Sequence, residues 1–189
     1  MHIPKKGLRA LGIAESYSVR TRSTLAGVVM RKDLRIDGFA FGNATVGGMD
    51  ATDSILGMVQ DLHRRDINVI MLSGCVIAWF NVIDPARISY ETGIPVIGVT
   101  YEDSDGLEAD ICYHFPDDAE RIAAYRQLGE RTPVVLRTHQ TIFLRAWGLD
   151  PADAMKLCND FTHEGKIPEP LRVARLCSRH LTHHGPDNP

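Results

Sequence analysis

Apolar and polar positions along the chain follow two periods, and the change from one to the other marks out the elements. Residues 8–14, 24–30 and 35–41 are short, mostly apolar runs of strand length, and the polar turn Arg31-Lys32-Asp33 between the second and third predicts a hairpin. A glycine-rich turn at residues 46–49 follows. Ile55, Met58, Val59 and Leu62 then recur at the helical period and predict a helix with one buried face. Residues 67–72 form a continuous apolar run, as in a central parallel strand buried on both faces, and residues 94–100 repeat the pattern. Helices are predicted over 84–92 (stopped by Gly93), over 117–128, over 151–161, and from Pro168 and Pro170 through Arg179. Residues 134–136 and 141–144 read as short strands, and Trp79 and Phe80 as core, with base stacking the alternative for an exposed tryptophan. A hairpin followed by alternating helices and strands predicts an α/β fold, a mixed sheet with helices on its faces. The strands near residues 8, 24 and 35 should be antiparallel, and those starting at 69 and 95 should join in parallel through right-handed crossovers.

Composition narrows the class. With 189 residues, 44% hydrophobic and 24% charged, the chain is sized for one domain, expected over residues 1–180, with a polar, frayed tail at 181–189. The longest apolar runs are far shorter than the roughly 18 residues of a membrane helix, and the start Met-His-Ile-Pro-Lys-Lys has no apolar signal core, which places the chain in the cytoplasm. Lys and Arg number 21 and Asp and Glu 24, so the net charge of −3 does not announce a nucleic-acid binder, nor does it exclude one, since a local basic face can sit on a neutral protein. Cys75, Cys112, Cys158 and Cys177 are scattered without a Cys-x-x-Cys pair, as expected of reduced thiols. No phosphate-cradling loop, dinucleotide fingerprint, nucleophile elbow or zinc helix occurs in the sequence.

Acidic residues gather at three points. Asp50 and Asp53, in Gly48-Met49-Asp50-Ala51-Thr52-Asp53, precede the first helix. They read either as its N-cap and first-turn acid or as hard oxygen ligands for Mg²⁺. Glu102, Asp103, Asp105 and Glu108 follow the apolar strand at 94–100, where open α/β sheets place ligands; solvated loop acids are the alternative. Glu15 ends the first strand, solvated or turned toward the same edge and within reach of Asp50. Arg172, Arg175 and Arg179 make one stripe on the last helix, either a solvated face or a track for a phosphate backbone.

Two segments resemble endonuclease V: Val69-Ile-Met-Leu-Ser-Gly-Cys75 followed by Gly93-Ile-Pro-Val-Ile-Gly-Val99, and Gly165-Lys-Ile-Pro-Glu-Pro-Leu-Arg-Val-Ala174. The fuller resemblance is to the archaeal endonuclease dU family. It runs through Gly12-Ile-Ala-Glu-Ser16, Gly27-Val-Val-Met-Arg31, Asp37-Gly-Phe39, Gly48-Met-Asp-Ala-Thr52 and Trp79-Phe-Asn-Val-Ile-Asp84, and covers residues 5–179. The resemblance implies a ribonuclease H-like fold, and cleavage of deaminated (uracil- or inosine-containing) nucleic acid in repair, with DNA as the expected substrate and RNA the alternative. It implies Mg²⁺ or Mn²⁺ held by clustered carboxylates that activate water and stabilise charge on the phosphate. Carried onto this sequence, it makes Glu15, Asp50 and Asp53 candidate catalytic residues. Glu15, Asp50, Glu102 and Asp103 become candidate metal ligands, and Arg172, Arg175 and Arg179 candidate nucleic-acid contacts.

The sequence also departs from the pattern. The Gly-x-Asp that ends the first strand of endonuclease V reads Gly12-Ile13-Ala14, and the Val-Asp-Gly after its central strand reads Leu72-Ser73-Gly74. The position of its late histidine falls near Trp147. A serine hydroxyl is a poor substitute for a carboxylate and alanine is none. Two functions are therefore open: a metal-dependent endonuclease with a rearranged site, which the resemblance favours, or a nuclease-fold module that binds nucleic acid or a protein partner.

Overall fold

The computed structural model describes residues 7–18 and 21–184. Three strands, β1 (Arg9–Ser16), β2 (Arg22–Arg31) and β3 (Ile36–Thr45), run antiparallel as a meander. Helix α1 (Ala51–Asp61) leads to β4 (Val69–Ser73), which pairs parallel with β1. A small hairpin of β5 (Val76–Ile77) and β6 (Asn81–Val82) and helix α2 (Pro85–Thr92) precede β7 (Val96–Thr100), parallel to β4 as expected. Helices α3 (Glu108–His114) and α4 (Ala119–Gln127) cross to the hairpin of β8 (Thr132–Val135) and β9 (Thr141–Trp147), and β9 runs antiparallel beside β7. Helices α5 (Pro151–Phe161) and α6 (Glu169–His184) complete the chain. The main sheet has the order β3-β2-β1-β4-β7-β9-β8.

Strand β1 sits inside this sheet with both faces covered. Leu11 and Ile13 pack toward α1 with Leu25, Ile55 and Met58, whereas Ala10 and Ala14 pack toward α5 and α6 with Phe161, Leu171 and Ala174. Gly12 lies where α6 comes closest. A Cβ there would stand 2.5 Å from the Pro170 carbonyl carbon, so the Pro-Glu-Pro start of α6 can seat on β1 only over a glycine. The helices begin as their sequences dictate: Asp84, Asp118 and Asp150 cap α2, α4 and α5 by accepting from Arg87, Arg121 and Ala152 N–H groups. Gly93 ends α2 with a left-handed φ of 67°.

Four sequence expectations change. The last helix runs on to His184, so residues 181–184 of the expected tail are helical, and 185–189 lie outside the described residues, as does the start at 1–6. The β5–β6 hairpin and α3 carry no clear periodic signal because each is too short to show one. Trp79 is not core: it is 46% exposed. The far edge, β9 with β8, returns to antiparallel pairing. Among the described residues no helix is long and apolar enough to cross a membrane.

Candidate functional site at the carboxyl edge of the sheet

Successive side chains of a strand point to opposite faces, and this separates Ala14 from Glu15. Ala14 is buried on the α6 face. Glu15 turns to the α1 face, where its Oε2 accepts from Ser23 Oγ and its Oε1 from the Ala78 N–H at 3.4 Å. Glu15 therefore does not take over the direction that Ala14 occupies. Ser73 ends β4 in phase with Val69 and Met71, and Tyr101 follows β7 in phase with Ile97 and Val99, both on the α6 face. At this edge the α6 side presents a methyl group and two hydroxyls.

Asp50 occupies the N-cap position of α1, but its carboxylate does not cap the helix. It turns back to the end of β3, accepting from Thr45 N at 2.9 Å, Thr45 Oγ1 at 2.7 Å and Asn81 Nδ2 at 2.7 Å. The Ala51 N–H donates instead to Asn81 Oδ1 at 3.2 Å. Burial alone would raise the Asp50 pKa; the hydrogen bonds from Thr45 and Asn81 outweigh it and hold the carboxyl below its usual value. Asp53 is exposed and pairs with Arg87 at 2.8 Å. Glu102 pairs with Lys166, and Asp103 lies 3.8 Å from Arg131; both acids are more than four-fifths exposed. Glu15 and Asp50 share only a neighbour, the β5–β6 turn, which one meets at Ala78 and the other at Asn81.

Among the described residues, no three of His, Cys, Asp and Glu converge in a way that could hold a metal ion. A Mg²⁺ or Mn²⁺ ion held by three carboxylates does not fit these residues: two of the expected positions are Ala14 and Ser73, and the Asp50 oxygens already accept hydrogen bonds.

The β5–β6 turn was not legible in the sequence. Ala78, Trp79 and Phe80 all have left-handed φ values, of 42°, 58° and 62°, a run that non-glycine residues adopt only when their surroundings impose it. Arg121, almost fully buried, imposes it. Its guanidinium donates to the carbonyls of Phe80, Gly48 and Gly47, pairs with Asp118 at 2.9 Å and lies 4.0 Å from the Phe115 ring centroid. Gly47 N–H adds a bond to Ala78 O at 2.8 Å. The result holds the Trp79 indole out at the edge, with the His114 ring centroid at 4.8 Å.

A cleft of about 340 Å³ opens beside Ser73, along the carboxyl ends of β4 and β7. Tyr101 and Arg175 line it with Ser73, and Cys75, Tyr125 and Arg145 also contribute. The Arg175 guanidinium lies over the Tyr101 ring, 5.4 Å from its centroid. Burial pushes the Tyr101 phenol up to about 12, while the neighbouring Ser73 hydroxyl, by hydrogen bonding, and the Arg175 charge pull the other way. Burial likewise pushes the Cys75 thiol up to about 12, so it stays neutral and packed rather than nucleophilic. The arginine stripe divides. Arg175 faces the cleft, Arg172 is gripped by Glu169 at 2.7 Å, and Arg179 is exposed. Arg131 and Arg145 were missed in the sequence because lone arginines in loops and edge strands carry no pattern.

A seven-stranded mixed sheet with antiparallel strands first and helices on both faces is the ribonuclease H-like fold of endonuclease V. The chain superposes on Ciona intestinalis endonuclease V in complex with inosine-containing DNA with a TM-score of 0.63, at 16% identity, over 92% of this chain and 85% of that one. At that identity the likeness shows the fold alone. The chain belongs to the endonuclease dU family, whose model matches residues 6–182. The UPF0215 protein of Pyrobaculum calidifontis is 42% identical over 171 residues, 88% of this chain and 92% of that protein. The crystal structure of a protein of unknown function from Archaeoglobus fulgidus superposes with a TM-score of 0.81 at 29% identity, covering 93% of this chain and 99% of that one.

Proposed function

We propose that this chain is a nucleic-acid-binding member of a nuclease family. In the cytoplasm it binds DNA strands that carry deaminated bases, in preference to RNA, and has lost most or all of the family's cleavage. One observation carries the reading: Ala14 and Ser73 stand on the α6 face, where two carboxylates would be needed, while the acid next in sequence, Glu15, points to the opposite face. Arg175 and Arg179 supply backbone attraction, with Arg172 once Glu169 releases it. The exposed Trp79 supplies an aromatic surface on which an unpaired base stacks.

A second reading has its own support. The family match over residues 6–182 favours a residual nuclease, and Glu15 and Asp50, which both border the β5–β6 turn, with Asp53 on α1, are the acids this chain would offer it. The test is binding and cleavage of uracil- and inosine-containing strands in Mg²⁺, in Mn²⁺ and in EDTA, with RNA of the same sequence as comparison. Binding without product supports the first reading. Cleavage that Glu15→Gln or Asp50→Asn abolishes establishes the second. Failure to bind any strand overturns both and leaves a protein partner.

A further inference from the structure

We infer that the cleft at the carboxyl ends of β4 and β7 seats the oxyanion of a phosphate group directly, without a divalent ion, with the Arg145 and Arg175 guanidiniums and the Ser73 hydroxyl as its donors. That the phosphate belongs to a nucleic-acid strand rests on the function proposed above; the seat itself does not.

The charges of the cleft carry the argument. Its ionised lining groups are Arg131, Arg145, Arg175 and Glu102. Glu102 is neutralised by Lys166, and Arg131 is occupied by the carbonyls of Glu102 and Ser104 and by Asp103. Arg145 and Arg175 remain. Neither has a carboxylate within 4 Å among the described residues. Arg145, opposite Gly98 on the α1 face, spends one N–H on Gly129 O at 2.8 Å and lies beside the Tyr125 hydroxyl, whereas Arg175 comes over Tyr101 from the α6 face, so the two enter the cleft from either side of the sheet edge. A guanidinium drawn partly out of water without a counter-ion is costly, and an entering oxyanion relieves that cost through charge-assisted, forked hydrogen bonds. Tyr101 is a positioning residue, its ring lying beneath Arg175. At about 340 Å³ the cleft has room for a phosphate and an attached sugar. The sign of the site is thus the reverse of a metal-binding edge, which would gather negative charge to hold a cation between itself and the phosphate.

The test uses the whole protein and a fluorescent 20-residue single strand containing uracil, in 5′-phosphate and 5′-hydroxyl forms, with Kd read by anisotropy. The expected Kd in EDTA lies within about threefold of that in Mg²⁺. Arg175→Gln and Arg145→Gln should each weaken binding by roughly tenfold, and Ser73→Asp by a similar factor in EDTA, because it sets a carboxylate against the anion. Arg175→Lys keeps the charge without the fork, sits on a partly exposed helical position, and should lose about threefold. Millimolar inorganic phosphate should compete. Preference for the 5′-phosphate strand assigns the seat to a terminal phosphomonoester and equal affinity to an internal diester; both support it. More than tenfold loss in EDTA overturns the seat, as do unchanged affinities in Arg175→Gln and in an Arg145→Gln protein that melts like the parent. If no strand binds but inorganic phosphate raises the melting temperature of the parent and not of Arg175→Gln, the seat stands and the nucleic-acid reading falls. Tight strand binding that neither arginine variant alters gives the opposite result.

Discussion

Replacing Gly12 with alanine puts a methyl group 2.5 Å from the Pro170 carbonyl carbon and 2.7 Å from its oxygen and Cβ. Ordinary contact begins at 3.4 Å, so the start of α6 must lift by about 0.9 Å, the difference of the two distances. Neither side can yield locally, since β1 is held by strands on both sides and Pro170 is backbone-rigid. A gap of that size forfeits a quarter to a half of the dispersion energy across the contact, and overpacking of this kind costs about 1–3 kcal/mol. We place Gly12→Ala at the upper end, because α6 buries Leu171 and Ala174 on the same strands. The paired control is Gly57→Ala, inside α1, where an added Cβ meets nothing within 4 Å. That change should stabilise by about 0.5–1 kcal/mol through helix propensity. Urea unfolding at constant m-value reads both, and in a chain of this size each kcal/mol moves the melting temperature by roughly 2–4 °C. A Gly12→Ala protein within 0.5 kcal/mol of the parent would refute the close seating of α6 on β1.

Asp50, held below its usual pKa, contributes stability that is complete above pH about 4 and is lost as pH falls through its lower folded value. Asp50→Asn should therefore be less stable than the parent at pH 7 and lose less on acidification, as acid-unfolding curves would register. Arg121→Met removes a buried cation that holds three carbonyls and Asp118, and should cost about 3 kcal/mol or more in urea unfolding while loosening the Trp79 turn, visible as a shift in tryptophan emission. Introducing Ala14→Asp with Ser73→Asp places carboxylates at the edge of β1 and β4, one of them at a buried position. The double variant should melt below the parent in EDTA and recover several degrees in millimolar Mn²⁺; no recovery would mean that this edge cannot hold an ion even with its acids restored.

The sequence made most of the architecture legible because the core-forming elements are long enough to repeat their period. The buried faces of α1, β4 and β7 are written as apolar residues three and four apart or as unbroken runs, and those runs define the central parallel strands. What escaped was short or depended on distant partners. The left-handed run at Ala78, Trp79 and Phe80 carries no glycine to announce it and exists because Arg121, some forty residues later, supplies the donors. The cleft draws the two arginines that have no carboxylate partner among the described residues from β9 and α6, elements far apart in sequence. Asp50 begins its helix as the sequence predicts, but its carboxylate is a clip between β3 and the β5–β6 hairpin, a role that depends on Asn81 thirty-one residues away and leaves no local pattern.

That role bears on how a family motif should be read. The motif positions this chain retains are the ones with structural work in the molecule. Gly12 makes room for Pro170; Asp50 and Asn81, with Thr45 outside the motifs as their partner, tie three elements together; Thr52 Oγ1 accepts from the Asp84 N–H at 2.9 Å, and Asp84 in turn caps α2. The two positions that depart from the endonuclease V pattern, Ala14 and Ser73, hold a methyl group within the α6 core and a hydroxyl at the cleft. Each retained contact stabilises the scaffold whatever the activity, whereas an unpaired carboxylate at a buried edge would destabilise it. The retained motifs therefore speak for the scaffold, and the proposed loss of cleavage is to be tested at the two positions that depart from the endonuclease V pattern and in the cleft beside them.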